Sequence, residues 1–193
     1  PAELTIEDYE RFVGGSFEDY TDWIEATYRV PKADFRARYT ETIVDLLRFG
    51  PSPAMPGADA IVRAVHRRGL RVAVASMSEP PWVTATLRAT GLTDLIPLVV
   101  TGVEVEHAKP HPEIYLHTAA LLGVDPAACI AVEDSVNGTA SAVAAGMIVV
   151  QTRQGFLAPP RQPGVHAVIE SWAQFDLRWL EGRPVEGIPT SPE

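Results

Sequence analysis

Ala131-Val132-Glu133-Asp134-Ser135-Val136-Asn137-Gly138 is the stretch on which the fold of this chain turns. It continues an apolar run that begins at Cys129, and a small-residue helical run from Thr139 to Ala145 follows it. That pattern reads as a buried strand ending in Glu133-Asp134, with Ser135 or Asn137 placed to cap the next helix. Acids at the carboxyl end of a strand stand where α/β sheets bind ligands. A pair of oxygen donors suits Mg²⁺, which takes one or two protein carboxylates and fills its shell with phosphate and water. Taken alone, the stretch is equally consistent with a capped helix start carrying two solvated acids.

Short apolar strands alternate with helices on both sides of it. Downstream, Met147 to Val150 and Val165 to Ile169 read as strands. Upstream, Lys109-Pro110-His111-Pro112 opens a helix through Leu122, with Pro112 in its first turn and Gly123 as its cap. Leu98 to Thr101 is a strand, Pro81 to Ala89 a helix, and Leu70 to Ala75 a strand that ends in Ser76-Met77-Ser78. Ala58 to Arg68 is an amphipathic helix closed by Gly69. This alternation predicts right-handed crossovers and a Rossmann-like three-layer α/β core with a mostly parallel sheet.

The pattern changes at Gly50-Pro51-Ser52-Pro53-Ala54-Met55-Pro56-Gly57, a density of breakers that marks a domain boundary. Residues 1–50 read as a small helical unit. Thr5 and Asp8 fit a helix start, Gly14-Gly15 ends that helix, and Ser16 opens the next, with Tyr20, Trp23, Ile24 and Thr27 on one face. After Pro31, a third helix from Ala33 to Phe49 carries Phe35, Tyr39, Ile43, Leu46 and Leu47 on its apolar side. The α/β core is assigned to residues 51–182. The tail from Arg183 to Glu193, rich in proline and polar residues, is expected to be disordered.

With 193 residues, 46% of them apolar, the chain can bury a real core. Its formal charge is −9, and both units are acidic, so a nucleic-acid surface is not expected. The single cysteine, Cys129, lies in an apolar run and reads as a core residue. No signal peptide and no membrane-length apolar run stands out, so the expectation is a cytoplasmic protein.

Ser76, Lys109 and Glu133-Asp134 all fall at strand ends or helix starts, and a parallel sheet brings its strand ends to one edge. A serine hydroxyl, a compact cation and an acid pair are the parts that bind and neutralise a phosphoryl group. Singly, Ser76 reads as a helix cap and Lys109 as a solvated charge. His107, His111 and His117 match no standard zinc spacing and read as loop or helix-start residues. Glu104 and Glu106 read as solvated loop charges.

Val74-Ala75-Ser76-Met77-Ser78, Ala108-Lys109-Pro110-His111-Pro112-Glu113-Ile114-Tyr115 and Val132-Glu133-Asp134-Ser135-Val136-Asn137-Gly138 together resemble motifs II, III and IV of the haloacid dehalogenase-like hydrolases. The subfamily most alike contains β-phosphoglucomutase and sugar-phosphate phosphatases, and both Met55-Pro56-Gly57 and a helical cap over residues 1–50 fit it. The resemblance implies a Mg²⁺-dependent phosphomonoester hydrolase that acts on a small phosphorylated metabolite through an aspartyl-phosphate. It implies that Ser76, Met77 and Lys109 hold the phosphoryl group, that Lys109 and Ser76 assist the chemistry, and that Asp134 holds Mg²⁺, with Glu133 binding it directly or through water. Gly14, Gly15 and Ser16 would form the cap loop facing the substrate.

The departures are as informative. The family nucleophile is the first aspartate of an Asp-x-Asp-Gly motif on the first core strand, and no Asp-x-Asp occurs in this sequence. The expectation is a fragment, or a shortened relative, that is inactive as it stands and has unpaired strand edges at the centre of its sheet. Phe17 and Glu79 occupy positions where β-phosphoglucomutase carries basic residues, which favours a phosphatase over a phosphomutase. The remaining alternative is a non-catalytic phosphate- and metal-binding protein. Oligomeric state stays open.

Overall fold

The structure is a computed structural model that describes residues 5–10, 12, 16–50, 54–154 and 158–181. The predicted helix end at Gly14-Gly15 and the tail from Arg183 lie outside the described residues. Three helices come first: α1 (Ile6–Glu10), α2 (Phe17–Tyr28) and α3 (Lys32–Phe49). The Thr5 hydroxyl accepts from Asp8 N at 3.2 Å while Thr5 N donates to the Asp8 carboxylate at 3.1 Å, a reciprocal cap that fixes the first helix start. Ser16 caps α2, its hydroxyl accepting from Glu18 N and Asp19 N at 3.1 and 3.3 Å. Tyr20, Thr21 and Ile24 form the buried face of α2. Thr27 is exposed instead, because α2 ends one residue later at Tyr28. Tyr20 meets Phe35 and Tyr39 of α3 with ring centroids 5.7 and 6.2 Å apart, so an aromatic cluster joins the two helices.

The remaining elements alternate as the hydrophobic pattern predicts: α4 (Ala58–Arg67), β1 (Ala73–Ser76), α5 (Pro80–Ala89), β2 (Leu98–Thr101), α6 (Glu113–Leu122), β3 (Ile130–Glu133), α7 (Val136–Ala144), β4 (Ile148–Thr152) and β5 (Ala167–Ile169). Every strand pair is parallel. Val149 and Val150, both with no exposed surface, belong to different apolar clusters, one around Ile114 and Ala142 and the other around Ile169, Phe175 and Trp179. Successive strand residues point to opposite faces, so β4 is buried on both sides, as a three-layer α/β core requires.

Several boundaries shift for local reasons. Strand β1 begins at Ala73 rather than Leu70, because its partner in register, β2, starts at Leu98. Helix α6 begins at Glu113 and not at Lys109, with Pro112 in the capping position: Lys109 and His111 each precede a proline, which disfavours helical backbone there, and the segment forms a turn in which His111 N donates to the Ala108 carbonyl at 3.0 Å. Gly123 ends α6 at φ 65°, the left-handed cap anticipated for it. Cys129 precedes β3 and is half-buried, at the edge of the core and not within the strand.

The sheet is divided. Strands β1 and β2 form one ladder, and β3, β4 and β5 form another. Between them lies a cavity of about 1200 Å³, lined on one side by residues 72–76 and on the other by residues 128–133. Among the described residues, β1 and β3, the two strands that flank the cavity, each have a ladder partner on one side only. Among the described residues, no helix is long and apolar enough to cross a membrane.

Candidate functional site

Ser76 is the last residue of β1 and Glu133 the last of β3, so two parallel strands deliver them to the same edge of the core. Both line the cavity, together with Met77, Ser78, Lys109, Asp134 and Ser135. The three motifs separated in sequence therefore meet at one mouth. Ser78 N donates to the Ser76 hydroxyl at 3.1 Å, a turn that folds the chain back just past the strand. Met77 packs against Gly102, where an added Cβ would stand 2.7 Å from the Met77 methyl.

Lys109 is buried, with its side chain 6% exposed. Its ammonium donates to the Ala75 carbonyl at 3.1 Å, to the Tyr115 hydroxyl at 3.4 Å and to Glu133 Oε1 at 2.5 Å. It is not the solvated charge that it would be alone, and the peptide bond that follows it, Lys109–Pro110, is cis. Glu133 is held at both oxygens: Oε1 accepts from Lys109 and from the Tyr115 hydroxyl, and Oε2 accepts from the Ser135 hydroxyl at 3.3 Å. Burial first, and then the Glu133 charge, push the Tyr115 hydroxyl well above its ordinary pKa and keep it a donor.

Asp134 differs from its neighbour. It reaches solvent at the cavity mouth, and its carboxylate accepts from its own backbone amide. Desolvation, followed by the Glu133 charge, raises its carboxyl pKa, while its backbone amide and Lys109 oppose the rise. An anion crowded in this way is a fitting ligand for a cation. Of the sequence alternatives for capping α7, Ser135 is the one used, its hydroxyl accepting from Gly138 N at 3.0 Å.

The helical unit faces the same cavity. Ser16, Phe17, Tyr20 and Tyr39 line it opposite Trp82 of the core. Gly14 and Gly15 lie outside the described residues. Sequence reasoning singled out Glu79 without its partner: Arg36 of α3 binds Glu79 at 2.5 Å and Glu18 at 2.8 Å, joining the helical unit to the core. It also passed over Tyr115, which follows Lys109 by six residues, and Gly138, whose place in the quoted stretch was the available signal. Glu104 is not a free loop charge. It accepts from Thr101 N at 2.8 Å and from the Thr101 hydroxyl at 3.0 Å, closing the turn after β2.

A parallel α/β core with a buried lysine and an acid pair at its strand ends defines a phosphate-handling class of protein. A family model for haloacid dehalogenase-like hydrolases matches residues 2–146, and the chain belongs to that family. It is 44% identical to YhcW of Bacillus subtilis over 100 residues, 52% of this chain and 46% of that protein. It is 39% identical to hexitol phosphatase B of Escherichia coli over 95 residues, 49% of this chain and 43% of the other. The chain thus spans about half the length of the curated relatives it matches. Among solved structures, CbbY of Rhodobacter sphaeroides in complex with xylulose-1,5-bisphosphate superposes with a TM-score of 0.82 at 26% identity, covering 90% of this chain and 81% of that one.

Proposed function

We propose that this chain is the phosphate- and cation-handling part of a Mg²⁺-dependent phosphomonoester hydrolase that works through an aspartyl-phosphate. The observation that carries this reading is the meeting of Ser76, Lys109, Glu133 and Asp134 at one cavity mouth. Ser76 and the amides after β1 hold phosphoryl oxygens, and Lys109 supplies the fixed positive charge. Asp134 holds Mg²⁺, whose charge stabilises the transferring phosphoryl oxygens. Glu133, held by Lys109, Tyr115 and Ser135, orients the ammonium and keeps its charge compensated, and meets the cation through water.

The nucleophile enters through the gap in the sheet. A parallel strand ending in Asp-x-Asp-Gly would pair with the open edges of β1 and β3 and bring its carboxylates beside Lys109 and Asp134. The substrate we assign is a small phosphorylated carbohydrate or related metabolite, in line with the names of hexitol phosphatase B and the CbbY complex. Arg36, which spans from the helical unit to the core, is neutralised by Glu18 and Glu79, which favours a phosphatase over a mutase with its second phosphate. A cytoplasmic setting suits such a substrate.

The test is complementation. Residues 1–193 with Mg²⁺ should leave an aryl phosphate intact. Adding a peptide made of an apolar strand followed by Asp-x-Asp-Gly should start turnover that needs Mg²⁺ and disappears in Asp134→Asn. Turnover by the chain alone that is sensitive to Asp134→Asn would overturn the missing-nucleophile part of the reading. Peptide binding and phosphate-dependent stabilisation without any turnover would replace hydrolysis with a binding role.

A further inference from the structure

His107, His111 and Glu113 stand outside the phosphate site, on the solvent side of the segment that carries Lys109. Their ligand atoms all lie within 4.8 Å of one another, the one such His/Cys/Asp/Glu group found among the described residues. We propose that these three side chains form a second divalent-metal site of the zinc type, distinct from the Mg²⁺ position at Asp134.

The geometry is specific at the level of atoms. Both imidazoles turn Nδ1 toward one carboxylate oxygen: His107 Nδ1 is 2.8 Å from Glu113 Oε2, and His111 Nδ1 is 3.8 Å from it. The two rings lie side by side with centroids 4.5 Å apart. Glu113 is held in place by backbone, its Oε1 accepting from Glu106 N at 2.8 Å and its Oε2 from His107 N at 2.9 Å. The carboxylate is thus ionised and fixed before any ion arrives. A metal would replace the proton that His107 shares with Glu113, releasing it to solvent, and with bonds of about 2 Å would set neighbouring donors about 3.3 Å apart, so His107 Nδ1 and Glu113 Oε2 open slightly from 2.8 Å while His111 Nδ1 closes from 3.8 Å. His111 gives up a long contact to do so, the 3.3 Å hydrogen bond its Nδ1 accepts from Glu113 N.

The donor set selects the ion. Two imidazole nitrogens and one carboxylate suit Zn²⁺, Ni²⁺ or Cu²⁺, whereas Mg²⁺ takes oxygen ligands and is a poor match. Three protein ligands leave a fourth tetrahedral position to water. The exposure of the histidines, 57% and 50% of their side chains, leaves that position open and marks a site of modest affinity. An ion bridging His107 and His111 closes a short loop through Lys109, so binding stabilises the segment that presents the phosphate-site cation. His107, His111 and Glu113 lie close together in sequence. The turn before α6 is what gathers them.

The experiment uses the whole chain purified without a polyhistidine tag and stripped with a chelator. Zn²⁺ is titrated against a chromophoric chelator, and thermal unfolding is followed with and without Zn²⁺. One Zn²⁺ per chain should bind with micromolar affinity and raise Tm. His107→Ala and His111→Ala should each weaken binding by at least about tenfold and abolish the Tm rise. His117→Ala should leave both unchanged. Because the two histidines are exposed, their alanine variants keep the fold, which the melting curve without metal verifies. Zn²⁺ binding of equal strength in both variants, or no stoichiometric binding to the unmodified chain, overturns the proposal.

Discussion

Gly138 is glycine because Glu133 leaves no room for a side chain. A Cβ at that position would stand 2.1 Å from Glu133 Oε2 and 2.2 Å from its carboxyl carbon. A long side chain could ordinarily swing away at little cost, but this carboxylate is tied to Lys109, Tyr115 and Ser135. Gly138→Ala should therefore cost about 1–3 kcal/mol, the usual range for overpacking a well-filled site. Urea unfolding at neutral pH checks it, and a loss of less than about 0.5 kcal/mol would show that the cluster can rearrange. The same residues explain why two neighbouring carboxylates take different roles. Glu133 and Asp134 are adjacent in sequence, yet one is enclosed by donors and the other stands at the mouth with its carboxyl pKa raised.

At the scale of the element, the start of α6 is held by Glu113. Backbone amides of Glu106 and His107, with the His107 ring, lower its carboxyl pKa from 4.5 to about 2. A depressed acid pKa contributes stability that is fully present above the unfolded value and is lost as the pH falls through the folded value. In chelator-treated protein, Glu113→Gln should lower the urea midpoint at pH 7, and the difference from the unmodified chain should shrink as the pH falls from about 4.5 toward 2. A difference that stays constant over that window would mean that ionisation of Glu113 plays no part. The shorter extent of this helix relative to its sequence pattern has the same local origin: prolines 110 and 112 give the segment to the turn, and Glu113 closes it.

At the scale of the molecule, the divided sheet is the governing feature. Strand β4 has partners on both sides, while β1 and β3 each face the cavity with one edge. Unpaired strand edges are weak points and invite another strand. Amides of residues 73–76 and 130–133 that point into the cavity should exchange with solvent at least about tenfold faster than those of Val149 and Val150. Hydrogen exchange read by NMR checks this, and the complementing peptide should slow the same amides selectively. Uniform protection across all five strands would mean that the edges are covered.

Alternation of apolar strands with helices, the punctuation at residues 50–57 and the caps at Thr5, Ser16 and Gly123 are local properties, so the sequence alone determined the α/β class and most element positions. It also marked Ser76, Lys109 and Glu133-Asp134, because a parallel sheet obliges strand ends to share an edge. What joins those residues is long-range and was not legible. That Lys109 is buried against Glu133 and Tyr115, that Arg36 is taken up by Glu79, and that His107 and His111 turn toward Glu113 depend on how side chains meet after packing. Spacing along the chain encodes the periodicity of single elements, whereas pairing between charges is settled only when burial removes water and leaves each group the partners it can reach.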